Sequence, residues 1–433
     1  MWEYYDGRSV LVTGGSGFLG TAIVHRLLSR SSVCHVYLIC RGGEKKLRSK
    51  WKEWLPFGMV EKLCDSAHLS VFDGDILLPD LGLEPTELMT LRHAVQIVIH
   101  AASSISLAKP LQILSKSIIA ASEAIAEISL TFKDLDRFIY VSTAYANTHL
   151  YTRSEKPGID LNVEERFYDL EKQGNTMEEW ESVRRYGTSE AYEAEDFPWD
   201  YAYAKHLTER LLLHRFSQHA SEDKLLIVRP SIIGPAQCFP FPGYSMPTST
   251  PSTMLAAAIA LTPSWRCVIA TRMALPEAEV TADEVPVDVV VDRLLSHLAA
   301  GHRGCVHAVS GTRARMSSQE WWESAMKLRR IPWKVRPLWL DLDWKDQKQH
   351  SFSRLWVILG TSFSFSEGRT LALSRDLDHG KPSDLQLFTR IHMSDHLMHR
   401  ERHVKYVMEK ISQKSTRAWF INNVFYRNFG HSK

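Results

Sequence analysis

The 433-residue sequence has little of what marks specialised protein classes. Its six cysteines (Cys34, Cys40, Cys64, Cys238, Cys267 and Cys305) are scattered with no Cys-x-x-Cys pair. That spacing excludes a disulfide scaffold and a cysteine zinc site, and it suits a reducing compartment. The longest apolar runs, "MLAAAIAL" and "LWVILG", are far shorter than the roughly 20 residues a membrane helix needs. Nothing at the start reads as a signal peptide, because "SVLVTGG" has the pattern of a first core strand, so a cytoplasmic protein is expected. Internal repeats and low-complexity tracts are lacking, as is any recognised nucleic-acid motif. The run "WWESAMKLRRIPWKVRPLWLDLDW" reads as core and rim of a small domain rather than a nucleic-acid platform. Net charge is also small, at +2. It is unevenly spread, with −9 over residues 1–300 and +11 over 301–433. A basic C-terminal third suits a phosphate-bearing ligand or acidic carrier protein, and leaves room for peripheral membrane contact.

What is present is an α/β pattern. "SVLVTGG", "HVYLICR", "LSVFDGDI", "VQIVIHAA", "RFIYVSTAYA" and "LLIVRPSIIG" read as strands alternating with helical stretches, the order of a doubly wound parallel sheet. The expected division is a nucleotide-binding domain over 1–310 and a basic, mostly helical region over 311–433. Polar or Pro-rich insertions fall at about 151–199 and 235–282, the first expected to fold over a site. Helices are expected near 318–328 and 383–414. His392, His396, His399 and His403 recur on one face of the latter. At about 1.5 Å per residue they spread too far for one ion, and no metal site is expected.

The turn "TGGSGFLG" puts Gly14, Gly17 and Gly20 between a strand and a helix. Glycines in that context give a tight turn, a close backbone approach to a pyrophosphate and close helix–strand packing, with the helix N-terminus facing the anion. Thr13, Phe18 and Leu19 flank them as further nucleotide-side residues. Arg41 ends the second strand, with Lys45 and Lys46 behind it, where an NAD-preferring site carries a carboxylate. A guanidinium there pairs with a 2′-phosphate, so NADPH is the expected cofactor. Asp75 and Ile76 after the third strand should meet adenine. Ala101 and Ala102, in "HAAS", are small enough for the cofactor to lie close.

At the other end of the crevice, Ser142 and Thr143 stand at the carboxyl end of the fifth strand, and "YAYAK" follows at 201–205. Residues four apart share a helix face, so Tyr201 can stand beside Lys205, whereas Tyr203 acts as a spacer. Hydroxyl donors stabilise the charge that gathers on a carbonyl oxygen during reduction, and a phenol can supply its proton. Lys205 is expected to hold the nicotinamide ribose and lower the pKa of Tyr201.

"TGGSGFLG", "GDILLPDLGL", "FIYVSTAYAN", "YAYAK", "VRPSIIGPA…FPFPGY" and "VPVDVVVDRL" occur in the order used by fatty acyl-CoA reductases. Over about residues 8–310 the chain resembles that male-sterility branch of the extended short-chain dehydrogenase/reductases, with its relatives the thioester reductase domains. The resemblance implies an NADPH-dependent reduction of an acyl-CoA or carrier-protein thioester to an aldehyde, and onward to a primary alcohol. Thr143, Tyr201 and Lys205 would form the triad, Thr143 preferred over Ser142. It further implies that Pro230, Ser231 and Ile232 line the nicotinamide side and that "PFPGY" lines the acyl side. Two departures stand out: Ser117 replaces the asparagine that helps carry the proton relay, and "HAASSISL" lacks the acidic or aromatic residues often found there. The same fold also serves dehydrogenases of sterol, sugar or polyketide alcohols and ketones, redox-neutral lyases and isomerases, and cofactor-binding regulators without turnover.

Overall fold

Short runs rich in Val, Ile and Leu pair side by side to make a parallel sheet, as such runs do when both faces are covered. The structure is a computed structural model that describes residues 1–30, 32, 35–154, 161–312, 314–377, 384–390 and 400–426. The strands are β1 (Ser9–Thr13), β2 (His35–Cys40), β3 (Leu69–Asp73), β4 (Ile97–His100), β5 (Arg137–Val141), β6 (Leu225–Pro230), β7 (Ile232–Gly234), β8 (Glu284–Pro286) and β9 (Gly304–Ala308). Seven of them form one sheet in the order β9-β6-β5-β4-β1-β2-β3, and β7 pairs with β8 apart from it. The break comes at Ser231, so "LLIVRPSIIG" makes two strands rather than one. The seventh sheet strand, "GCVHA", is too short and too mixed to stand out in the sequence.

Alternate residues of each strand feed opposite layers. Val10, Val12, Ile97 and Ile99 pack with α1 (Phe18–Arg30), α2 (Gly43–Trp54) and the Val287–Ala299 helix. Leu11, Val98, Phe138 and Tyr140 pack with the helices Pro85–Ala94, Ala121–Leu130 and Asp200–Gln218. The strand order reverses between β1 and β4, and a crevice opens there at the carboxyl ends. Asp200–Gln218, which carries YAYAK, is buried nearly all round from Ala202 to Leu212 because it lies between the sheet and the 151–199 insertion.

The long helix read from "LQILSKSIIAASEAIAEISL" contains a π-helical stretch at Ser115–Ala120 before Ala121–Leu130 resumes. The insertions are tied to the region after 310 by short ladders. Leu161–Val163 pairs with Phe363–Phe365, Arg266–Ala270 with Arg336–Leu340, and Thr281–Ala282 with Met316–Ser317. Strands therefore accompany the expected helices there. Ser318–Lys327 forms as expected, and Trp321 and Trp322 are core residues. Of the expected 383–414 helix, Glu401–Ser412 is helical and residues 384–390 are irregular. Among the described residues no helix is long and apolar enough to cross a membrane.

Candidate active site

The glycine turn follows directly from β1. Gly14 has φ +76°, and a Cβ on it would fall 2.8 Å from the backbone nitrogen of Ala102. Gly17 N–H closes the turn on Gly14 C=O at 2.8 Å. A Cβ on Gly20 would lie 2.1 Å from the Gly14 oxygen, so α1 can pack this close to the strand only with glycine there. Space free of side chains and a helix N-terminus therefore coincide, and these residues fit a dinucleotide's pyrophosphate.

The side chains of the flanking residues are packed into the fold. Phe18 and Leu19 are core, Phe18 lying 5.4 Å from the Tyr244 ring, so only their backbone faces the turn. Thr13 is fully buried, and its hydroxyl bonds His100 Nδ1 at 2.7 Å and accepts Ala102 N–H at 3.2 Å. These two bonds fix the turn. His100 continues to Ser122 Oγ at 3.0 Å, and burial lowers its pKa to about 3, which keeps the ring neutral. Trp51 braces the turn from α2, donating to Gly15 C=O and Thr21 Oγ1. The sequence reading missed both residues. Their one local signal is an unusual residue type, a histidine in an apolar strand and a tryptophan in a charged helix. Arg41 is exposed at the end of β2, and its guanidinium stands 3.9 Å from Asp75, so the two proposed adenosine-side groups face each other. Ile76, next to Asp75, and Ala101 and Ala102, against Gly14, are half-buried.

At the reacting end, Ser142 N–H continues the ladder to Val228 C=O at 2.8 Å, while its buried Oγ has no partner among the described residues. Thr143 Oγ1 donates to Pro230 C=O at 3.4 Å and accepts Tyr145 N–H at 3.3 Å, two long and weak bonds. Tyr201 is half-buried, and no described residue hydrogen-bonds its hydroxyl. Lys205 is almost wholly buried. Its Nζ donates to Val141 C=O at 2.8 Å and sits 4.6 Å over the Tyr140 ring. Burial lowers the Lys205 pKa to about 7, with Glu209 opposing. The expectation that Lys205 lowers the phenol's pKa is not met. Burial pushes Tyr201 above the usual range, and the ammonium is committed to Val141 and Tyr140 instead.

Tyr203 does more than space the motif. Fully buried, it donates to Glu179 at 2.7 Å and meets Ser189 Oγ at 2.5 Å, while Arg210 holds the same carboxylate at 2.7 and 3.1 Å. The insertion is thereby locked onto the YAYAK helix. Beneath it, Glu209 pairs with Arg229 of "VRP" at 2.5 and 2.9 Å, tying that helix to β6. Ser231 donates its hydroxyl to Asp283 at 2.5 Å, and Ile232 is half-buried against the apolar cluster that also takes Tyr201.

Within "PFPGY", Tyr244 donates to Phe18 C=O at 3.2 Å; just before it, Phe239 lies under the Arg26 guanidinium and the backbone N–H groups of 237–239 bind Asp288, so this loop braces α1 and the Val287–Ala299 helix. Ser117 back-bonds to Ile113 C=O at 3.2 Å within the π-helical stretch, so its hydroxyl serves its own helix. His392, His396 and His399 lie outside the described residues, and His403 bonds Ser245 at 2.9 Å. Among the described residues no group of three His, Cys, Asp or Glu could hold a metal.

Known proteins resemble the chain in sequence and in fold. Fatty acyl-CoA reductase 1 of Xenopus laevis is 28% identical over 305 residues, covering 68% of this chain and 55% of that protein. The chain thus spans about half the length of the curated relatives it matches. Among solved structures, the reductase (R) domain of a nonribosomal peptide synthetase from Mycobacterium tuberculosis superposes with TM-score 0.61 at 16% identity, covering 94% of this chain and 92% of that one. The dTDP-glucose 4,6-dehydratase DesIV of Streptomyces venezuelae gives 0.55 at 14% identity, covering 92% and 97%. These likenesses establish the extended short-chain dehydrogenase/reductase fold. A family model described as male sterility protein matches residues 12–294, which cover the glycine turn, Ser142, Thr143 and YAYAK, and the chain belongs to that family.

Proposed function

We propose that the chain is an NADPH-dependent oxidoreductase that reduces an acyl thioester, carried by coenzyme A or a carrier protein, to an aldehyde. The observation that carries this reading is the Tyr201 hydroxyl, with no hydrogen-bond partner among the described residues, one helical turn before an anchored Lys205 and downstream of two hydroxyls at the end of β5. The fatty acyl-CoA reductases among its relatives support the substrate class. Arg41 supports NADPH, since it puts a cation where a 2′-phosphate would lie. The +11 charge of residues 301–433 suits the phosphates that both thioester carriers present. We assign nucleotide binding to 1–310 and substrate contacts to the insertions together with 311–433.

When bound, the nicotinamide supplies a hydride. The chain's own groups handle the oxygen and the proton. As the carbonyl carbon is reduced, negative charge gathers on its oxygen. Tyr201 donates its hydroxyl to that oxygen, and Thr143, held by only two long bonds, turns to give a second hydrogen bond. Re-forming the C=O bond breaks the C–S bond, and the thiolate departs to be protonated by solvent. A phenol pushed upward by burial holds its proton until such an oxyanion forms, which suits a donor. Lys205 clamps the helix to the strand at Val141, one residue before Ser142, and so fixes the distance between the hydroxyl groups.

Trapping the aldehyde as an oxime after incubation with NADPH and palmitoyl-CoA tests this. Palmitaldehyde oxime, or hexadecanol formed by a second reduction, is expected by mass spectrometry. Free palmitic acid as the sole product, or no product with any thioester, refutes the proposal.

A further inference from the structure

β4 and β5 place two rings beside the YAYAK helix. His100 and Tyr140 are register partners on these parallel strands, so both side chains leave the same face of the sheet. The Tyr140 ring is fully buried and stacks on His100 at 5.8 Å and 21°. It also carries the Lys205 ammonium, 4.6 Å from its centroid. The Tyr140 hydroxyl makes no hydrogen bond among the described residues, so the ring is what this residue offers its neighbours.

Lys205 needs such a neighbour. An ammonium has three N–H donors, and burial favours the neutral amine unless something answers the charge. Among the described residues only Val141 C=O accepts from Nζ, at 2.8 Å. Glu209, one turn along the same helix, favours the charge but holds Arg229 with both carboxylate oxygens, at 2.9 and 2.5 Å. Tyr201, one turn earlier, is a neutral phenol, and His100 on β4 is a neutral imidazole. What β5 adds to the Val141 carbonyl is the electron-rich face of Tyr140, and a cation over such a face gains most where water is excluded.

We infer that Tyr140 is a positioning residue: its ring, with the Val141 carbonyl, seats the Lys205 ammonium and keeps it charged, leaving the remaining N–H donors for the nicotinamide ribose. The inference rests on the reading of Lys205 as part of the NADPH site, and it adds a buried residue that acts only through the lysine. The charge matters because hydrogen bonds from an ammonium are stronger than those from a neutral amine.

NADPH affinity, measured by calorimetry across about pH 6 to 9, tests this without turnover. Affinity should fall as Lys205 loses its proton, from about pH 7 upward, and Lys205→Met should lack that fall. Tyr140→Phe keeps the ring and should leave the midpoint of the fall in place. Trifluorophenylalanine at position 140 keeps the shape but drains the π face. It should bring the midpoint down by about one pH unit, a tenfold change in the protonation equilibrium. A ring that served packing alone would give the same midpoint with phenylalanine and its fluorinated form. That result, a midpoint displaced by Tyr140→Phe itself, or no lysine-dependent fall overturns the inference. The expected midpoints in a protein that reduces no thioester would support the role of Tyr140 and reject the reaction. Thioester reduction with unmoved midpoints would do the reverse.

Discussion

Tyr201 and Tyr203 stand two residues apart on one helix, and removing each hydroxyl should have opposite effects. Tyr203→Phe deletes a buried hydrogen bond of 2.7 Å to the Glu179 carboxylate, together with the 2.5 Å bond to Ser189 Oγ. A bond to a charged group contributes about 1.5–3 kcal/mol. Arg210 keeps its own two bonds to Glu179, so the loss falls toward the lower figure. About 2 kcal/mol, or about thirtyfold in the unfolding equilibrium, is expected. Turnover should survive, because Tyr203 is fully buried and meets Glu179 and Ser189 rather than the crevice. Tyr201→Phe deletes no hydrogen bond within the described protein, so stability should hold within about 0.5 kcal/mol. Turnover should fall about 10²- to 10⁴-fold, the usual worth of a positioned proton donor. Urea denaturation and steady-state kinetics on both variants give the comparison. Equal destabilisation by the two substitutions, or loss of turnover in Tyr203→Phe with retention in Tyr201→Phe, would refute the assignment.

Other perturbations follow from the geometry. Gly20→Ala puts a methyl 2.1 Å from the Gly14 carbonyl, and overpacking of that kind costs about 1–3 kcal/mol. NADPH affinity by calorimetry should fall at least about tenfold as the turn shifts, and wild-type affinity would argue that the turn does not cradle the nucleotide. Arg41→Asp should lower kcat/KM for NADPH by about tenfold or more while sparing or improving NADH, and an unchanged ratio would remove Arg41 from cofactor selection. Lys205 gives a pH signature. Its native pKa is lowered to about 7, so between that value and the ordinary lysine range the unfolded chain holds a proton that the native one lacks. Stability therefore gains from rising pH across that window and carries the full burial penalty below it, where both states are protonated. Lys205→Met should flatten this rise in denaturation midpoints between about pH 7 and 9, and an identical slope would show that the amine does not titrate there.

Local signals were legible in the sequence. The glycine turn could be read because its spacing and its strand–helix context lie within one short stretch. Features set by distant partners could not. His100 looks like an oddity in "VIHAA" until Thr13 and Ser122 close on it. Arg229 in "VRP" has meaning only through Glu209, 20 residues earlier on another element. The residues around "PFPGY" give no local sign that Arg26 takes the preceding Phe239 or that Tyr244 donates to Phe18 on α1. The lysine's effect on Tyr201 was misjudged for a related reason. Helical spacing put the two side chains on one face, and only the fold showed the ammonium drawn to Val141.

The central claim is tested most directly by following NADPH absorbance and free thiol in the same reaction with palmitoyl-CoA, for the wild type and Tyr201→Phe. The account predicts one NADPH consumed per thiol released if the aldehyde accumulates, two if the alcohol does, and loss of both signals together in the variant. NADPH consumed without thiol, thiol released without NADPH, or undiminished rates in Tyr201→Phe would contradict it.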